Sequence, residues 1–218
     1  MRPAAAVLAA LCALSCVQPP PTASSRVPAP PSAEGLIPAD SPAPMPKWSD
    51  RVDYLALREA YGARVDFGDR CEAMEIGKRA ATALVEQQYD EVIVATAAGL
   101  DRCPVWPQLH LWRAVALQSL GRGVEADVHK RWFFGLTQSI LDSGDGKTAQ
   151  TPYVTISTGE EYAVLTRLGL QPTGQALIAG QRMLDLLTAV DESGRETQIY
   201  FDPAWHFVRL NRAFENVR

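Results

Sequence analysis

The sequence predicts an α+β protein, mainly α, in which antiparallel helical hairpins are followed by a small C-terminal α+β region with a β-hairpin. Three observations carry that expectation. Small and apolar residues recur at helical spacing through residues 47–142. Strand-like runs of β-branched and alternating residues appear beyond Leu141. A proline-rich stretch with almost no large apolar residues separates this body from the start of the chain.

Arg2 is the only charge in the first twenty-five residues, and the apolar run Ala4 to Ser15 follows it. A bilayer core takes about 20 apolar residues in a helix, so the run is too short to span one. A charged start and a short apolar segment describe a secretory signal peptide over residues 1–15. Ala13-Leu14-Ser15-Cys16 then resembles the lipobox of bacterial lipoproteins, which implies a lipid on Cys16 and membrane attachment through it. The position three before the cysteine, most often leucine, is Ala13 here. One acyl chain binds a membrane only marginally, whereas two or more hold stably. Residues 16–46 hold ten of the sixteen prolines and read as a disordered, extended tether, roughly 90 Å long at full stretch.

Residues 47–142 form the expected helical repeat region. Ala80 and Ala114, Gln87 and Gly121, and Val92 and Ala126 are each thirty-four residues apart. That spacing resembles the tetratricopeptide repeat, in which small residues let paired helices approach and glycine ends a helix with positive φ. Thr96 and Lys130 stand where that repeat usually has a large side chain. Trp112, Trp132, Phe133 and Phe134 are expected in the core, and His110 and His129 as ordinary helix residues, because no ligand spacing surrounds them. Cys71 and Cys103 fall at the start of one helix and the end of its antiparallel partner. They are a candidate disulfide in an exported chain, the alternative being two separate buried thiols.

Residues 143–218 should form an α+β region packed on the repeats. Asp142 to Thr148 superficially suggests a phosphate loop, but Leu141 stands where its first glycine belongs, and the β-branched Tyr153 to Ser157 follows where a helix is required. Gly144, Asp145, Gly146 and Lys147 are kept as a candidate functional loop, with a plain glycine turn as the simpler reading. Thr158 and Glu161 read as a capping box, placing Tyr162, Leu165 and Leu168 on one face up to Gly169. Leu184 to Val190 and Thr197 to Phe201 alternate about a turn at Asp191 to Gly194, as a hairpin does. Asp202-Pro203 opens a last helix with Phe207, Leu210 and Phe214 on one face and His206 beside it.

The segments Ser143-Gly144-Asp145-Gly146, Val154 to Leu168 with Glu160-Glu161-Tyr162, Gly169-Leu170, Gln175 and Tyr200-Phe201-Asp202 together resemble the bacterial family called domain of unknown function 4919. Asp53 to Asp66, with Leu57-Arg58 and Tyr61, is similar to that family's opening. The likeness spans residues 50–205 and implies an envelope or lipoprotein setting, helical repeats before an α+β end, and no known activity.

With 25 acidic and 21 basic residues and a formal charge of -4, the chain lacks the basic surface that nucleic acid requires. No cofactor or metal site is expected. The leading expectation is a non-enzymatic, lipid-anchored envelope protein that binds another envelope protein, facing the periplasm or the exterior. The rival is an envelope hydrolase or sugar-binding module using the Gly144 to Thr148 loop, with Asp145 or His206 as acid or base.

Overall fold

The computed structural model describes residues 32–180 and 182–215. The signal peptide over 1–15, Cys16 and residues 17–31 of the expected tether lie outside the described residues. The architecture is α+β and mainly α, as the sequence predicts. Helices α1 (Tyr54–Gly62), α2 (Phe67–Cys71), α3 (Met74–Val85), α4 (Tyr89–Leu100), α5 (Pro107–Ser119) and α6 (Gly123–Leu141) come first. Strand β1 (Tyr153–Val154), helix α7 (Thr158–Arg167), strands β2 (Gln171–Ile178), β3 (Leu184–Val190) and β4 (Glu196–Asp202), and helix α8 (Ala204–Glu215) complete the chain. The sheet order is β1-β4-β3-β2, with β1 parallel to β4 and the other neighbours antiparallel.

Residues 32–46, assigned to the tether by their prolines, are bound to the body instead. Ile37 forms a parallel bridge with Arg64, its N–H donating to Ala63 O and its carbonyl accepting from Val65 N. Tyr61 Oη donates to Pro44 O, and Ala43 packs on the core beside Tyr61 and Trp132. The proline content pointed to an extended tether, whereas the described part opens with a 3-10 turn at Ala33–Gly35 and is attached to the body. Proline offers no N–H, yet its carbonyl still accepts and its ring still packs.

Consecutive helices α3 to α6 pack on one another, and α3 also touches α5. The positions thirty-four apart are equivalent in the structure: Ala80, Ala114, Val92 and Ala126 are buried, and Gln87 and Gly121 both have positive φ, 58° and 73°. Each of these two ends its helix with the same closure, Gln88 N to Ala83 O and Arg122 N to Leu117 O. Glycine accepts that backbone freely, whereas Gln87 adopts it at a steric cost. Cys71 and Cys103 are bonded, with Cα atoms 5.1 Å apart, closing the α3–α4 hairpin. On the chain-entropy argument such a closure stabilises by about 3 to 4 kcal/mol.

Several expected details are corrected. The cap of α7 is Ser157, whose hydroxyl accepts from Glu160 N, not Thr158. Consequently Glu160 occupies the third helical position, and Glu161 points into the body. Of Tyr162, Leu165 and Leu168 only Leu165 is buried. The strand expected over Tyr153 to Ser157 is two residues long, because Thr155 and Ile156 already lead into the cap. On β3 the buried face is Asp185, Leu187 and Ala189, not the more apolar alternate set. Phe134 is exposed with the Arg167 guanidinium over its ring, and Leu210 and Phe214 of α8 are exposed too.

Candidate functional site

Two buried polar clusters hold the described titratable groups whose chemistry burial alters most. The first joins α1, α6, β1 and α7. Arg58 and Glu160 meet in a two-point pair, Nε to Oε1 and Nη2 to Oε2, both 2.7 Å, each side chain almost fully buried. Arg58 also donates to Val154 O and Ser139 Oγ, and Glu160 Oε2 accepts from Ile156 N. Both charges are thereby paired and bonded, which is the condition for keeping them in an apolar interior.

Glu161 lies next to this pair but has no counter-ion. Glu161 is 0% exposed, its Oε1 accepts from Thr155 Oγ1 at 3.4 Å, and its carboxyl faces that of Asp185, with which a hydrogen bond requires a proton between the two. Burial and the nearby Asp185 carboxylate push the Glu161 carboxyl up to about 9. It therefore carries a proton at neutral pH. Asp202 is also buried; burial raises its carboxyl, while Arg182, 2.6 Å away, works in the opposite direction.

The second cluster lies in the helical half and corrects the expectation that His110 and His129 are ordinary helix residues. Their Nδ1 atoms are 2.9 Å apart, His110 Nε2 is 2.9 Å from Pro104 O, and Arg113 Nε donates to His129 Nε2 at 3.0 Å. The ends of this chain fix its tautomers. Arg113 can only donate, so His129 Nε2 accepts and His129 Nδ1 carries the hydrogen. That hydrogen goes to His110 Nδ1, leaving His110 Nε2–H for the carbonyl. Burial holds His110 down to about 3, with His129 adding to the effect. Burial and Arg113 hold His129 down to about 4. The His110 ring stacks on Trp132 at 5.0 Å, and Trp48 packs its edge against both.

The Gly144 to Lys147 loop is a closed turn. Asp145 Oδ1 accepts from Lys147 N and from Thr151 Oγ1, and these bonds hold its carboxyl below the ordinary range. A side chain at Gly144 would meet Pro152 O at 2.2 Å, and Gly146 has φ 66° with the Tyr153 ring above it. His206 is half-buried against Phe207. Among the described residues no hydrogen bond, ion pair or ring contact joins Asp145 to His206.

A crevice of about 120 Å³ lies between Phe67, Cys71, Trp106 and the start of α7 at Ser157 and Gly159. It is smaller than the roughly 300 Å³ at which small-molecule pockets begin. Among the described residues no group of three or more His, Cys, Asp or Glu could hold a metal ion, and no helix is long and apolar enough to cross a membrane. What the arrangement does chemically is hold protons in fixed places on groups buried from solvent.

Sequence reasoning overlooked both clusters. His110 and His129 lie on the two consecutive helices α5 and α6 either side of one short turn, and that antiparallel pairing was the available signal. Arg58 interrupts the buried stripe of Leu57 and Tyr61, which was a second.

Helical hairpins closed by a small α+β unit, with polar joints sealed between the two, define the class of protein. The chain belongs to the family of the domain of unknown function DUF4919, whose model matches residues 67–206. The Asp53 to Asp66 segment lies outside that match. No curated protein and no solved structure matches the chain.

Proposed function

We propose that this is a non-enzymatic protein of the bacterial cell envelope, exported by residues 1–15 and anchored through lipid on Cys16. Its tetratricopeptide-like hairpins bind another envelope protein. One observation carries the non-enzymatic reading: Glu161 and His110, the acid and the base that burial perturbs most, are each 0% exposed, and a group that touches no substrate catalyses nothing. Asp145, the acid of the rival hydrolase or sugar-binding reading, is engaged in holding its own turn. For binding, the hairpins leave Val85, Val94, Val115 and Val124 exposed, and apolar side chains on a surface favour association. The Cys71–Cys103 bond suits the oxidising environment outside the cytoplasm.

The test is capture of cross-linked neighbours from intact cells, comparing wild type with Cys16→Ala. The variant should leave the membrane fraction and lose its neighbours. Continued attachment with the same neighbours would overturn the anchor. Asp145→Asn should keep the same neighbours and change stability by no more than about 0.5 kcal/mol.

A further inference from the structure

The four-stranded sheet ends differently on its two sides. On one side β1 is two residues long, and brevity is a standard protection of a sheet edge. On the other, β2 runs for eight residues and is exposed at seven of them. Its only strand neighbour is β3, and among the described residues the backbone of 171–180 makes no hydrogen bond elsewhere. One row of its N–H and C=O groups therefore faces outward.

Edge strands are ordinarily guarded by charge, proline, a bulge or a cover. Here Pro172 and a register shift between Pro172 and Gly174 protect only the first residues. From Gly174 to Ile178 the pairing with β3 is regular, and no charged side chain occurs from Gln171 to Gly180. Tyr162 Oη donates to Gln175 Oε1 from α7, and this side-chain contact leaves the outer backbone row open.

The geometry points to β2 as a pairing edge for the β2 strand of a second copy, antiparallel about a two-fold axis at Ala176, the centre of the regular stretch Gly174 to Ile178, so that the sheet continues from one molecule into the next. Charge is the reason for choosing this occupant. The whole chain carries a formal -4, so copies repel in general, but this strip is neutral and meets its twin without opposed like charges. Gln175 supplies an amide that both donates and accepts, and is thus complementary to itself. The chain's own residues 17–31 fit poorly, because proline removes the donor at 19, 20, 21, 28, 30 and 31. A two-fold contact closes on itself and yields a dimer instead of a filament. This inference stands apart from the proposed binding surface on the helices, since it uses the opposite kind of contact on a different element.

The experiment measures association of the full chain in detergent by sedimentation, with differently tagged copies co-purified as a second readout. Wild type should sediment as a dimer at about 50 µM, the midpoint scale of a moderate self-association. Gln175→Lys with Ala176→Lys places like charges across the two-fold on both faces and should weaken association about tenfold. Both side chains are exposed, so thermal unfolding should be unchanged. Mixing that variant with Gln175→Glu/Ala176→Glu should restore a mixed dimer. A wild type that stays monomeric, a dimer indifferent to either charge pair, or a β2 edge that captures only a different protein would each overturn the inference.

Discussion

The helical half and the α+β half solve one problem in opposite senses. Around Trp132 the helices bury two bases, His110 and His129, and keep both uncharged through a one-way chain of hydrogen bonds ending at Pro104 O. Between α7 and the sheet the structure buries an acid, Glu161, and keeps it uncharged by denying it a cation. At the junction, between Arg58 and Glu160, charge is retained and paired at two points, as it is where buried Arg64 meets Asp66. A buried ionisable group is thus tolerated either neutral or fully matched, and the choice sets how each half responds to pH.

The largest effect tests the junction. Glu160→Gln leaves Arg58 charged and buried without a counter-ion and should cost about 3 to 5 kcal/mol in urea unfolding. Replacing both, Arg58→Met with Glu160→Leu, should recover most of that loss. A small effect for the single variant would mean that water reaches the pair.

Next is the acid. The folded-state value of Glu161, about 9, lies above its ordinary 4.5, so its contribution to stability is greatest below pH 4.5 and is lost as pH rises towards 9. Unfolding free energy should therefore fall by about 3 to 4 kcal/mol between pH 5 and pH 8 from this group alone. Glu161→Gln should flatten that slope and be the more stable form at pH 8. A slope that survives the substitution would place its origin elsewhere.

The histidines give an opposite effect of similar size. Their folded-state values, about 3 and about 4, lie below the ordinary 6.5, so stability is complete above pH 6.5 and declines as pH falls. From pH 6.5 to 4.5 the loss should be about 4 kcal/mol for the pair, roughly half from each ring. His110→Asn should remove about half of this acid dependence and raise the urea midpoint at pH 4.5 relative to that at pH 7. Nuclear magnetic resonance of the ring protons should show no histidine titration at the pair above pH 5.

The helical hairpins were legible because small residues at thirty-four-residue spacing mark where helices approach, and Ala80, Ala114, Val92 and Ala126 are buried there. The β3–β4 hairpin was legible from alternation, although the buried side of β3 was not. Asp185 occupies the inner face while Leu186 and Val190 are only half-buried, and alternation alone does not say which set faces inward. Strand β2 left no pattern, since a strand exposed on both faces has no reason to alternate and Pro172 and Gly174 lower its propensity. The buried clusters were illegible for a related reason. Arg58, Glu160 and Glu161 look like surface charges until their partners arrive from residues as much as 102 positions away. Neither Glu161 nor His129 stands close in sequence to the groups that neutralise it.

The bridge between Ile37 and Arg64 also shortens the leash. Under the proposed lipid anchor, fifteen residues, 17–31, separate Cys16 from the first described residue, a chain length that spans about 45 Å at most, half of what the proline count suggests. A contact on the cell surface or across the periplasm would have to come within that shorter radius. Under that anchor, a pull from the membrane would enter the body at the corner where Ile37 bonds to Ala63 and Val65 and residues 33–35 meet α8.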